Sequence, residues 1–221
     1  MIKKLTVLIL LFFMLLTPAF AKNKEFMPKY HNSFQNFGIG LYFGNGTITI
    51  YSAPDEKSKV LTKLKWDENY VYENNKEIEP VDVFAVFVPR KGLSAFIAVD
   101  ETENKYTQII YDLKNGKIGW IKNNDNEKAY YWRQLFYRYG KSTGLTFFKD
   151  IPREARILRL APDEFSEISY EFVLPKYVRL QLIKGNWALL KVVDYDEEQK
   201  VGWFQWRNPD GTLNMMPDFL N

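Results

Sequence analysis

The sequence has no cysteine and a single histidine, His31. Their scarcity removes thiol nucleophiles, disulfides, thiolate metal sites and any ligand set that needs two histidines. His31 sits among Tyr30, Asn32 and Ser33 without an apolar pattern to hold it rigidly, so no Ser-His-Asp arrangement is expected on it. An excess of charge of one sign is missing too. The 30 basic and 27 acidic residues are interspersed and give a net charge of +3, which argues against nucleic acid and against a polybasic membrane patch, since both need many uncompensated cations. With 12 Gly and 10 Pro, 46% hydrophobic and 26% charged residues, the composition is globular rather than disordered or collagen-like. Aromatic side chains are abundant: 17 Phe, 14 Tyr and 6 Trp. These pack best in β-structure, so the expected fold class is mainly β, with aromatic packing supplying the stability that many small exported folds draw from disulfides.

Lys3 and Lys4 precede an apolar run that reaches Phe20, interrupted at Thr17-Pro18, and Ala19-Phe20-Ala21 places small residues where a signal peptidase reads. The run is shorter than the roughly 20 residues of a membrane span. The expectation is a cleavable signal peptide, residues 1–21, cut after Ala21, and an exported protein, periplasmic or secreted, with no membrane anchor. Removing this segment takes away two lysines and no acid. Residues 22–39 read as an N-terminal leader.

The rest of the chain repeats itself. Ile50-Tyr51-Ser52-Ala53-Pro54-Asp55-Glu56 is answered 108 positions later by Leu158-Arg159-Leu160-Ala161-Pro162-Asp163-Glu164, and Lys117-Ile118-Gly119-Trp120-Ile121 by Lys200-Val201-Gly202-Trp203-Phe204. Each Ala-Pro-Asp-Glu segment ends a short apolar alternation in a chain reversal, because proline presets φ for a turn and aspartate suits the next position. Glycine in each Gly-Trp pair allows close backbone approach. In the second unit, Tyr177 to Ile183 and Trp187 to Val193 read as strands around a Lys184-Gly185-Asn186 turn. About five short strands in roughly 60 residues describe a small barrel.

These landmarks resemble the bacterial SH3-like (SH3b) domain. Ile157, Leu158, Arg159 and Pro162 match its opening strand and turn, Gly185, Trp187 and Leu190 its middle motif, and Gly202, Trp203 and Phe204 its closing one. In the first unit Ile48, Ile50 and Pro54, then Gly119, Trp120 and Ile121, match, while Tyr51 stands for the usual arginine. The middle motif departs: the longer spacing there is expected to hold an extra hairpin around Pro89-Arg90-Lys91-Gly92. The resemblance implies two small SH3-like barrels in tandem, residues 40–123 and 144–221, joined by a short α-helix within residues 124–143. Asn124 with Glu127 forms a capping-box pattern, Trp132, Leu135, Phe136 and Tyr139 fall on one helical face, and Gly140 sits where a left-handed cap belongs, so 130–139 is expected to be helical.

No constellation carries obvious chemistry. Gly38, Gly40 and Gly44 miss the dinucleotide spacing, and Asp194, Asp196, Glu197 and Glu198 lack the glycine and final glutamate of a calcium loop. Adjacent carboxylates at Asp55-Glu56 and Asp163-Glu164 have no burial to separate their pKa values. No catalytic residue, metal or cofactor is expected. The remaining candidates are aromatic: Tyr51, Tyr111, Trp120, Trp187, Trp203 and Trp206 as ligand-binding residues. Of these, Trp120, Trp187 and Trp203 are expected to pack in the core rather than line a groove, and Trp206, beside Arg207 and Asn208, is expected to be the exposed one. The expected function is non-catalytic binding of a cell-wall peptide or peptidoglycan-type ligand. A periplasmic adaptor that binds an envelope protein is the alternative, and a carboxylate-dependent envelope hydrolase ranks last.

Overall fold

The computed structural model describes residues 25–30, 37–103, 105–173 and 175–221. The expected signal segment and His31 lie outside the described residues. Two antiparallel sheets carry most of the regular structure, so the chain is mainly β. The first sheet contains β1 (Gly40–Phe43), β2 (Thr47–Tyr51), β3 (Val60–Trp66), β4 (Val71–Glu73), β5 (Lys76–Ile78), β6 (Val86–Val88), β7 (Leu93–Thr102), β8 (Tyr106–Asp112), β9 (Lys117–Lys122) and β10 (Ala129–Tyr131). The second contains β11 (Leu145–Phe147), β12 (Ile157–Arg159), β13 (Ile168–Glu171), β14 (Tyr177–Lys184), β15 (Trp187–Val193), β16 (Gln199–Gln205) and β17 (Met215–Pro217).

Both sheets contain the same five-strand ladder. In the first its order is β7-β8-β9-β2-β3, and in the second β14-β15-β16-β12-β13. A three-strand meander ends on the strand that opens the repeat, and that strand pairs with its own hairpin partner. Neither ladder closes on itself through strand pairing. Closure would join the two ends of the ladder, but β3 gives its free edge to β4 and β14 gives its free edge to β11. In the first repeat, part of the extra length between the landmarks therefore forms the β4–β5 hairpin that occupies this edge. The hairpin expected around Pro89 is present as β6 and β7, joined by a 3-10 turn at Pro89–Lys91 and by Gly92 at φ 65°.

β7 is buried from Ser94 to Ala98 because the sheet is covered on both faces, as its unbroken apolar run suggests. On one face Phe96 and Ala98 join Tyr42, Ile50, Leu64, Trp66 and Phe84. On the other, Ala95 and Ile97 belong to a cluster that continues through Trp132, Leu135 and Phe136 into Leu158, Val178, Leu190 and Phe204 of the second sheet. This second cluster is shared by both sheets, while the first belongs to the first sheet alone.

The α-helix among the described residues, α1 (Trp132–Tyr139), sits in that cluster and touches β1 and β10 on one side, β14 and β17 on the other. It begins later than the pattern suggested. Ala129–Tyr131 pairs with β1 as a strand, and Asn124 caps only its own turn, accepting hydrogen bonds from the backbone N–H groups of Asn126 and Glu127 at 2.9 and 2.8 Å. The N-terminal bond is instead made three residues into the helix, where Gln134 Oε1 accepts the Tyr131 N–H at 2.9 Å. Gly140 is right-handed, φ −64°. Its lack of a side chain serves close packing, since a Cβ there would come within 3.0 Å of both Leu145 and Leu180. Gly144, at φ 105°, makes the left-handed turn.

The leader is not detached. Phe26 exchanges both backbone hydrogen bonds with Phe87, at 2.9 and 3.0 Å, and Met27 is buried.

Candidate binding groove

The two Ala-Pro-Asp-Glu turns are built from the same bonds. The Asp55 N–H donates to the Ala53 carbonyl at 2.7 Å and the Asp163 N–H to Ala161 at 2.9 Å. The Asp55 carboxylate accepts the Lys57 N–H at 2.9 Å, and that of Asp163 the Phe165 N–H at 2.8 Å. A serine closes each loop: Ser58 Oγ accepts the Ala53 N–H at 3.3 Å and Ser166 Oγ the Ala161 N–H at 2.9 Å. These are the local bonds that make Asp and Ser turn residues. Both opening strands bulge at the same place, between Ile50 and Tyr51 and between Leu158 and Arg159.

Beyond the bulge, Tyr51 stands opposite Trp120 and Arg159 opposite Trp203. The preceding glycines face inward. A Cβ on Gly119 would lie 2.4 Å from the Ile50 Cγ2, and one on Gly202 2.7 Å from the Leu158 Cβ. Successive strand residues point to opposite faces, so Trp120 and Trp203 emerge on the outer face and are partly exposed. Trp187 is partly exposed on the same face as Trp203, opposite Gln205.

The structure therefore reverses the expected burial of the tryptophans. Trp120, Trp187 and Trp203 are partly open to solvent, whereas Trp206 is buried, 4% exposed. Its indole N–H donates to the Gly185 carbonyl at 3.0 Å and its ring meets Phe136 of α1 edge-on. Trp206 is a core residue. Tyr111 is separated from Tyr51 and Trp120, because its ring packs against the cluster on the inner face of the first repeat. Burial pushes its phenol upward in pKa, partly opposed by the Lys117 ammonium.

One open groove of about 400 Å³ lies at the turn of the second repeat. Trp187, Phe165 and Pro152 provide apolar surface, Glu154 and Glu164 carboxylates, and Gln205 an amide. Phe165 is 89% exposed at the tip of the turn. Arg159 reaches the same groove and is held there by donating its Nη1–H to the Ser166 carbonyl. Of the six aromatic candidates only Trp187 lines this groove; Trp203 is nearby on the outer face, and Tyr51 with Trp120 occupies the corresponding face of the first repeat. Phe165, Glu154, Pro152 and Gln205 were missed by motif reading. The signal for Phe165 was present in the internal alignment, which sets it against Lys57.

The acid-rich tip between β15 and β16 is dispersed among separate partners. Asp194 accepts the Tyr170 hydroxyl, Glu197 pairs with Lys176 at 3.0 Å and Glu198 with Lys200 at 2.6 Å. Burial, then the neighbouring Asp196, raises the Asp194 pKa. No group of three or more His, Asp or Glu among the described residues converges as a metal site, and no helix among them is long and apolar enough to cross a membrane. Compared with known protein families, curated proteins and solved structures, the chain matches none.

Proposed function

We propose that the chain is an exported, non-catalytic binding protein of the cell envelope, made of two SH3-like units joined by α1, and that the second unit holds a peptide-type ligand such as the peptide of peptidoglycan. The observation that carries this reading is the groove beside the second turn. It combines apolar surface from Trp187 and Phe165 with polar groups from Glu154, Glu164, Arg159 and Gln205. A concave site with apolar walls and a few placed polar groups suits an extended ligand whose backbone needs hydrogen bonds and whose side chains need contact area.

Retention of the purified protein on isolated peptidoglycan, alongside binding of the free stem peptide followed by tryptophan fluorescence, tests the proposal. Both are expected for the wild type, and Trp187→Ala is expected to lose both without a change in unfolding midpoint. Absence of both from the folded wild type would remove the reading.

The adaptor reading draws on a different observation. Val60 and Ile168 are 43% and 58% exposed at equivalent positions, as are Ile118 and Val201 at 49% and 56%. Apolar residues exposed at the same places in both repeats suit a protein partner lying on the outer faces. Co-purification of a stoichiometric envelope protein, lost in Ile118→Lys and Val201→Lys, would favour it.

A further inference from the structure

The two repeats share a turn but not the charges around it. In the first, the Glu56 carboxylate accepts a hydrogen bond from Lys122 Nζ at 2.6 Å, and Lys57 follows it in sequence. In the second, Glu164 stands for Glu56, Phe165 for Lys57 and, on the strand that carries the Gly-Trp pair, Gln205 for Lys122. The ammonium that answers the first glutamate therefore has no counterpart. Among the described residues neither Glu164 nor Glu154 takes part in an ion pair, and both line the groove. Arg159 is the cation of that lining, but its Nη1–H is directed to the Ser166 carbonyl, which fixes it beside the turn.

The Lys122–Glu56 pair is exposed, with 55% and 51% of the two side chains accessible. Such a pair is weak as a tether. What it does reliably is cancel charge, so the first turn presents a self-neutralised carboxylate next to a second lysine. The groove of the second repeat presents two carboxylates that form no ion pair, Glu164 on the turn and Glu154 on the 3-10 segment Arg153–Ala155, beside the Arg159 guanidinium and exposed aromatic surface. An ammonium entering the groove would donate a charge-assisted hydrogen bond to a carboxylate that lines it, and its alkyl stem would find apolar contact on Trp187 and Phe165.

We infer that the groove of the second repeat selects a peptide segment with a free ammonium side chain of the lysine type, and that glutamine at 205 in place of a lysine leaves its carboxylates available to that ligand. The first repeat satisfies its own glutamate and does not share the preference. This inference rests on the peptide-binding reading above and adds the ligand's charge to it.

The test uses the purified, immobilised full chain and two hexapeptide libraries, random except for a fixed central lysine in one and Nε-acetyl-lysine in the other. Captured peptide is quantified by mass spectrometry. The lysine library is expected to be retained about threefold better at low salt, the effect of one solvent-exposed ammonium–carboxylate contact, with the ratio falling as ionic strength rises. Gln205→Lys, which recreates the arrangement of the first repeat, and Glu164→Gln are each expected to bring the ratio towards one while the thermal unfolding midpoint stays unchanged. Equal retention of the two libraries by the wild type would overturn the charge selection and leave the peptide reading standing. Retention of neither would overturn both. A lysine preference that survives both substitutions would overturn its assignment to this groove.

Discussion

The indole of Trp206 stands edge-on to the ring of Phe136, with centroids 4.8 Å apart and planes at 83°. It is the contact by which the end of β16 is held to α1. Edge-to-face geometry places the positive ring edge against the negative ring face, and the indole N–H is satisfied by the Gly185 carbonyl. Trp206→Ala would remove the ring contact and leave that carbonyl without its donor. The expected loss is about 3–5 kcal/mol of unfolding free energy, read from urea denaturation. Trp203→Ala, on the outer face, is expected to lose less than half as much. Equal losses would contradict the assignment of Trp206 to the core.

Gly119 and Gly202 have right- or extended-side backbones and are needed for space, whereas Gly46, at φ 75°, has nothing within 4 Å of an added Cβ. Gly119→Ala and Gly202→Ala should each cost about 1–3 kcal/mol, because the methyl group must displace Ile50 or Leu158 from a packed core. Gly46→Ala should cost about 1 kcal/mol through its left-handed backbone alone. Matching losses for the first two, with unchanged losses when either is combined with Gly46→Ala, would show that the repeats use one packing solution; a neutral Gly202→Ala would refute it.

Asp112 ties the end of β8 to the start of β9. Burial tends to raise its pKa, but bonds from the Lys117 ammonium and from the side chain and backbone N–H of Asn115 overcome this and hold it at about 2, below its ordinary 3.8. Since the folded value is depressed, the stabilisation is fully present above about pH 4 and is lost as pH falls through about 2. Asp112→Asn should flatten the fall in stability across that window and leave the profile above it parallel to wild type. Denaturant midpoints measured from pH 6 to pH 2 check this, and an unchanged acid limb would count against it.

Among the described residues, the Tyr42 hydroxyl is the buried side-chain polar atom that lacks a hydrogen-bond partner. Burial, reinforced by the Glu127 carboxylate, pushes its phenol far up in pKa. Removing an unsatisfied hydroxyl recovers its desolvation cost, so Tyr42→Phe is expected to be neutral or to stabilise by about 1 kcal/mol. A loss of that size instead, seen by thermal unfolding, would reveal a partner for the hydroxyl.

Local chemistry was readable from the chain where it is confined to a few neighbouring residues. Ala-Pro-Asp-Glu marked both chain reversals and their aspartates, while Ser58 and Ser166, which close the loops, lie outside that motif, and Lys184-Gly185-Asn186 lies at the turn between β14 and β15. What the chain concealed depended on residues far apart. Open ladders follow from β4 and β11 taking the edges that closure needs, and neither strand's partner is visible from its own three residues. Trp206 was misjudged because its sequence neighbours Arg207 and Asn208 are polar, while its burial is decided by Phe136, seventy positions earlier. Trp203 was misjudged for a simpler reason: an inward Gly202 dictates an outward tryptophan by the two-residue period of a strand, a signal present in the Gly-Trp pair itself. Groove residues such as Phe165 and Gln205 belong to no motif and stand out only where the two repeats differ.

The apolar cluster that runs from Ile97 through Phe136 to Phe204 has a mechanical consequence. Halves soldered together along such a seam cannot swivel like beads on a string, so neither can adjust its angle to clasp a flexible target. The outer faces of the two repeats are therefore held at a preset spacing, and melting one half should carry the other with it in a single heat-absorption peak.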